Sequence, residues 1–131
     1  MIEFCKVNIN HKNKRTGDCV VRALAGASGK DYQVVAKELF ELWMKTGYVF
    51  NDKHTYEKWL EQNGFVKMKQ PKKWNNTKYL VSEIDELISS EDVVVISVAN
   101  HLTYVEDDTV FDLWDCRRKS IGNYYIKKEN E

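Results

Sequence analysis

Apolar residues recur along this chain first at helical spacing and later at strand spacing. Val20, Leu24 and Ala27 stand at i, i+4 and i+7, which predicts a helix from about Asp18 to Gly29 that Asp18 can cap. Within it Ala23 and Gly26 leave room for close packing. Tyr32, Val35, Ala36, Leu39, Phe40 and Trp43 form a continuous stripe, predicting a second helix from Asp31 to about Lys45 that Gly47 ends. A third helix is expected over Lys53 to Gln62, with Tyr56, Trp59 and Leu60 inward and Asn63-Gly64 as its stop.

The pattern then changes. An extended piece near Phe65 to Met68 leads to a loop marked by Pro71 and Asn75-Asn76, and Ser82 starts a short helix to about Ile88. Val93-Val94-Val95-Ile96-Ser97-Val98 is a β-branched run of the kind found in buried strands. His101 to Val105, Thr109 to Trp114 and Ile121 to Ile126 follow as shorter strands. Helices first and strands afterwards predict an α+β fold, with N-terminal helices packed on a C-terminal antiparallel sheet in one domain over residues 1–131.

Charge narrows the function classes. Lys plus Arg and Asp plus Glu each number 20, so the net positive field that drives nonspecific nucleic-acid binding is missing and no nucleic-acid partner is expected. No apolar stretch is long enough to cross a bilayer, and the first twenty residues do not read as a secretory signal; the expectation is a cytoplasmic protein with no membrane partner. The basic run Lys67, Lys69, Lys72, Lys73, Lys78 and the acidic run Glu83, Asp85, Glu86, Glu91, Asp92 read as solvated faces, and Arg117-Arg118-Lys119 as a solvated turn. Trp43, Trp59, Trp74 and Trp114 are expected in the core or lining a cleft.

Three widely spaced cysteines, Cys5, Cys19 and Cys116, give neither a disulfide framework nor zinc-ligand spacing, so no metal or other cofactor is expected. A free reactive thiol is the more informative reading. Cys19 falls in the first turn of the first helix, where unpaired N–H groups and the helix dipole favour an anion. Position alone leaves a packed core cysteine equally open. His101 and Asp112 break the tie: a hairpin centred between Asp107 and Asp108 sets Thr103 opposite Asp112, and two-residue alternation puts His101 on that same face. A carboxylate there can orient the imidazole that activates a thiol; a register slip of one residue would offer Asp115 instead. His54, in a polar helix start, reads as a surface residue.

The stretches Thr16-Gly17-Asp18-Cys19-Val20-Val21-Arg22-Ala23-Leu24, Asn100-His101-Leu102-Thr103-Tyr104-Val105 and Asp112-Leu113-Trp114-Asp115 resemble the papain superfamily of cysteine peptidases. The likeness is to its small prokaryotic and phage members, including the leader peptidases that process bacteriocins, and covers about residues 13 to 126. It implies Cys19 as nucleophile, His101 as base and Asp112 as the group that orients the base. It also implies an oxyanion-hole amide six residues before the cysteine, usually Gln, where this chain has the shorter Asn13. Val20 stands where the bacteriocin-processing relatives tend to carry Gly, so their specificity does not carry over. The function so implied is a thiol hydrolase acting on a peptide, isopeptide or amide bond of a peptide or protein substrate. Acyl transfer, as in transglutaminases, and a non-catalytic interaction protein on the same fold are the alternatives.

Overall fold

The computed structural model describes residues 1–127. Three helices form where the apolar stripes lie: α1 (Cys19–Ser28), α2 (Tyr32–Thr46) and α3 (Lys53–Gln62). Gly29 and Gly47 end α1 and α2 in the left-handed conformation (φ 76° and 86°), their N–H groups donating to the carbonyls of Ala25 and Trp43. Asp52 caps α3 by accepting from the His54 N–H. Asp18 holds the cap position of α1 but makes no capping bond, its carboxylate being taken up elsewhere.

Six strands make one sheet: β1 (Glu3–Lys6), β2 (Phe65–Met68), β3 (Val94–Val98), β4 (His101–Glu106), β5 (Thr109–Asp112) and β6 (Tyr124–Lys127), in the order β1-β5-β4-β3-β6-β2. The expected antiparallel sheet is corrected here to a mixed one, because β1 pairs with β5 in parallel while the other pairings are antiparallel. Residues 1–7 escaped the pattern reading because an edge strand this short buries little beyond Ile2, while Glu3 and Lys6 break its apolar run. The short helix expected from Ser82 is a 3₁₀ helix over Val81–Glu86. Among the described residues no helix is long and apolar enough to cross a membrane.

The sheet is covered on both sides. Val95, Leu102, Tyr104 and Tyr125 pack with α1, α2 and α3 into one core. Val94, Ile96, Val105 and Val110 form the other with Ile2, the 3₁₀ helix and the segment carrying Cys116 and Ile121. Asp107 and Asp108 both take positive φ (52° and 53°), the conformation of a two-residue hairpin loop whose twist matches its strands. That turn fixes the β4–β5 register at Tyr104↔Phe111, Val105↔Val110 and Glu106↔Thr109, so the next position out sets Thr103 against Asp112.

Gly26 fixes how closely α1 approaches β4. A Cβ there would run into the Tyr104 ring and meet Ile9 Cδ1 at 2.8 Å, and Tyr104 is itself stacked on Phe111 with ring centroids 5.5 Å apart. Gly to Ala in a helix gains roughly 0.5–1 kcal/mol in propensity, whereas overpacking a core costs about 1–3 kcal/mol. Gly26→Ala is therefore expected to destabilise the protein in urea unfolding. A more stable Gly26→Ala protein would mean that α1 does not sit this close to the sheet.

Candidate active site

β4 begins and β5 ends at the same edge of the sheet, which brings His101 and Asp112 together: the imidazole Nε2 lies 2.6 Å from Asp112 Oδ2. Both are buried or nearly so, with side chains 8% and 2% exposed. The Asp112 backbone is pinned by β1, whose continuation donates the Val7 N–H to the Asp112 carbonyl at 2.8 Å. Its second oxygen, Oδ1, accepts from the Leu113 N–H at 2.7 Å and from Arg22 Nη1 at 3.1 Å. Asp115, the alternative partner, instead forms a two-pronged pair with Arg117 at 2.9 and 2.8 Å, so the register seen is the one that selects Asp112.

Arg22 was not among the residues singled out from the sequence, yet it ties the first helix to the hairpin. Its Nε donates to Asp18 Oδ1 at 2.8 Å while Nη1 reaches Asp112, and all three side chains are buried. Asp18 also accepts from Tyr32 Oη and Asn10 Nδ2, each at 2.8 Å. Asn10 in turn uses Oδ1 to hold the N–H groups of Lys12 and Lys14, shaping the loop that leads into Cys19. The i, i+4 spacing of Asp18 and Arg22 was the available signal; it reads as a surface pair until Asp112 is known to lie beside it.

Cys19 opens α1 and packs at the margin of the helical core, and its side chain lines one cleft together with His101. Because Nε2 is committed to Asp112, Nδ1 is the nitrogen left for the thiol. Burial opposes a thiolate at Cys19, but the nearby His101, the Leu102 N–H and the positive charges of His101 and Arg22 outweigh it, and the thiol pKa falls below its ordinary value. Burial likewise opposes an imidazolium, yet the bond to Asp112, and after it the nearby Cys19, raise His101 to about 9. Asp112 is lowered despite burial, by His101 first and then by the nearby Thr103 hydroxyl and the Leu113 N–H. The Thr103 hydroxyl is itself buried and finds no partner at hydrogen-bond length.

Cys19, His101, Tyr56, Lys53, Asn51 and Asn100 line an open cleft of about 370 Å³. Trp114 lies against the imidazole, ring centroids 4.8 Å apart, and is 41% exposed. Trp59 is core, as expected, whereas Trp74 stands 97% exposed in the lysine-rich loop, neither core nor cleft. His54 is on the surface, paired with Asp52. Asn13 is exposed, in the left-handed conformation (φ 55°) suited to a tight turn, and is not among the residues lining the cleft.

Cys116 approaches the same Asp112 oxygen as His101, its sulfur donating to Oδ2 at 3.9 Å. His101, Asp112 and Cys116 thus form a cluster whose donor atoms lie within 4.8 Å of one another. Burial and the Asp112 charge push the Cys116 thiol up to about 11, and it is fully buried. A cation could enter only if Cys116 lost its proton and His101 released Asp112. The two cysteines near the pair are therefore shifted in opposite directions: Cys19, facing a cleft, has its thiol pKa lowered, and Cys116, in a core, has its thiol pKa raised.

Comparison with protein-family models, with curated proteins and with solved structures found no match to this chain. Function is accordingly read from the site itself.

Two outcomes follow from this geometry. Arg22→Ala leaves two buried carboxylates without their cation, and breaking a buried pair in this way costs about 3–5 kcal/mol; equilibrium unfolding should show a loss of that order. A change within experimental error would show that Arg22 is not the tie between α1 and β5. Iodoacetamide mapped by mass spectrometry at neutral pH should modify Cys19 first and leave Cys116 untouched until unfolding. Modification of native Cys116 at a rate like that of Cys19 would contradict the burial and charge assigned to it.

Proposed function

We propose that this protein is a papain-like thiol hydrolase that cleaves a peptide, isopeptide or amide bond with Cys19, His101 and Asp112 as its triad. One observation carries the reading: His101 meets Asp112 at 2.6 Å and shares one open cleft with Cys19, whose thiol pKa is lowered while the imidazole pKa is raised. Paired shifts of this kind stabilise a thiolate–imidazolium pair near neutral pH.

In this reading the Cys19 thiolate attacks the carbonyl carbon, forming a C–S bond as the carbonyl π pair moves to oxygen. The oxyanion is met by the Cys19 N–H, which lies in the first turn of α1 where such groups lack an intrahelical acceptor. Asn13 is not among the residues lining the cleft, where the side-chain amides are those of Asn51 and Asn100. As the intermediate collapses, the C–N bond breaks and His101 gives its proton to the leaving amine. Water then attacks the thioester, His101 takes its proton, and the thiolate departs. Asp112 holds the imidazole tautomer and stabilises its charge, while Arg22 holds Asp112.

The pH dependence has a defined sign. Cys19 must be deprotonated and its pKa is lowered, so turnover rises with pH through a value below the ordinary thiol range. His101 must carry the proton for the leaving group and titrates near about 9, so turnover falls above that pH. With p-nitrophenyl acetate as a generic acyl donor, a burst of p-nitrophenol with one acetyl group on Cys19 is expected. Cys19→Ala and His101→Ala should abolish the burst alike and their combination should add nothing, while Asp112→Asn should cost less. A folded Cys19→Ala protein that still gives the burst would exclude covalent catalysis at this residue.

A further inference from the structure

The β3–β4 turn that delivers His101 has a second cavity on its other side. Val98 belongs to both: the cleft of Cys19 lies on one side of the turn, and a basin of about 590 Å³ on the other. Lys78, Arg118 and Lys119 line that basin together with Gln70, Val98 and Ile121, and no acidic residue lines it. All three cations are exposed, and none makes an ion pair among the described residues. This contrasts with other cations of the same segments: Lys67 pairs with Glu57 at 2.9 Å, Lys73 with Glu83 at 2.6 Å and Arg117 with Asp115 at 2.8 Å.

Lys72 and Lys78 are partners across an isolated antiparallel bridge, so a fourth exposed cation stands opposite one that lines the basin. The chain is built to keep this loop in place: Gln70 Nε2 donates to the Ile121 carbonyl at 3.0 Å, and Leu80 bridges to Ser120. A chain with equal numbers of acidic and basic residues thus gathers unpaired positive charge within one turn of its thiol. Trp74 stands at the tip of the same loop, an exposed aromatic of the type that anchors protein interfaces.

We infer that the basin formed by Lys78, Arg118 and Lys119 binds an acidic segment of a polypeptide substrate and places it across the β3–β4 turn from Cys19. The inference rests on the hydrolase reading for calling that polypeptide a substrate; binding of the acidic segment itself does not. A polypeptide is favoured over a nucleic acid because Val98, Ala99 and Ile121 give the basin aliphatic walls and no aromatic ring on which a base would stack.

The test uses the intact protein and fluorescein-labelled short peptides, one alternating Glu and Ala and one alternating Lys and Ala, read by anisotropy at low ionic strength. The Glu peptide should bind, weaken with added salt, and slow labelling of Cys19 by a bulky maleimide while leaving labelling by iodoacetamide unchanged. The Lys peptide should not bind. Lys78→Glu with Lys119→Glu should reduce affinity for the Glu peptide by about tenfold or more, as charge reversal at a complementary site does. Lys78→Gln with Lys119→Gln, which adds no new charge, should reduce it less, and circular dichroism checks that both variants are folded. Equal binding of both peptides, no effect of the substitutions, or tighter binding of a single-stranded oligonucleotide would overturn the inference. Slow iodoacetamide labelling of Cys19 would instead remove the hydrolase reading and leave peptide binding to be judged on its own.

Discussion

The carboxylate of Asp112 is the point on which the site hangs. It is almost fully buried, and burying a charge is costly unless every lone pair is met. One oxygen takes the His101 imidazole; the other takes the Arg22 guanidinium and the Leu113 N–H. The first contact sets the tautomer and charge of the candidate base. The second reaches α1 and, through Arg22, the Asp18 carboxylate beside Cys19. A single ionised group therefore adds a charged tie between a helix and a hairpin that otherwise meet through apolar packing. Around it the structure supplies what an isolated carboxylate lacks: β1 holds the backbone, and the second core keeps water away.

Cys19, His101 and Asp112 are arranged around the end of the sheet, not on one of its faces. Leu102 and Tyr104 point into the helical core, whereas Thr103 and Val105 alternate to the other side with His101 and Asp112. Cys19 belongs to the helical layer and Cys116 to the opposite one. The imidazole at the strand's first residue bridges the layers, and this explains why two cysteines close to one His–Asp pair have opposite tendencies. Cys19 meets a positive partner and a cleft; Cys116 meets a negative charge and a dry core.

Much of this was legible from local chemistry. The stop at Gly47 and the span of α3 follow from capping residues and apolar period, and the β4–β5 register followed from two aspartates able to take positive φ. The choice between Asp112 and Asp115 stayed open in the sequence and is made by the fold, where Asp112 meets His101 and Asp115 pairs with Arg117. What escaped depends on long-range context. β1 is a short edge strand whose pattern carries little signal, and its parallel pairing turned an expected antiparallel sheet into a mixed one. Asp18 looked like a helix cap, yet a nearby buried guanidinium outcompetes the backbone N–H groups for its oxygens. Asn13 matched its place by spacing alone, and the loop shaped by Asn10 leaves it in solvent.

The sequence distance between Arg22 and Asp112 gives the site a temporal property. Ninety residues separate them, and His101 follows Cys19 by nearly as many. Contacts of such separation carry a loop-closure cost and form only when the intervening chain has found its place. Until α1 has docked on the completed hairpin, Cys19 has neither an imidazolium nor a guanidinium beside it, and its thiol is an ordinary one. The lowered pKa of this thiol is thus a property of the completed fold, absent while the chain is still being made.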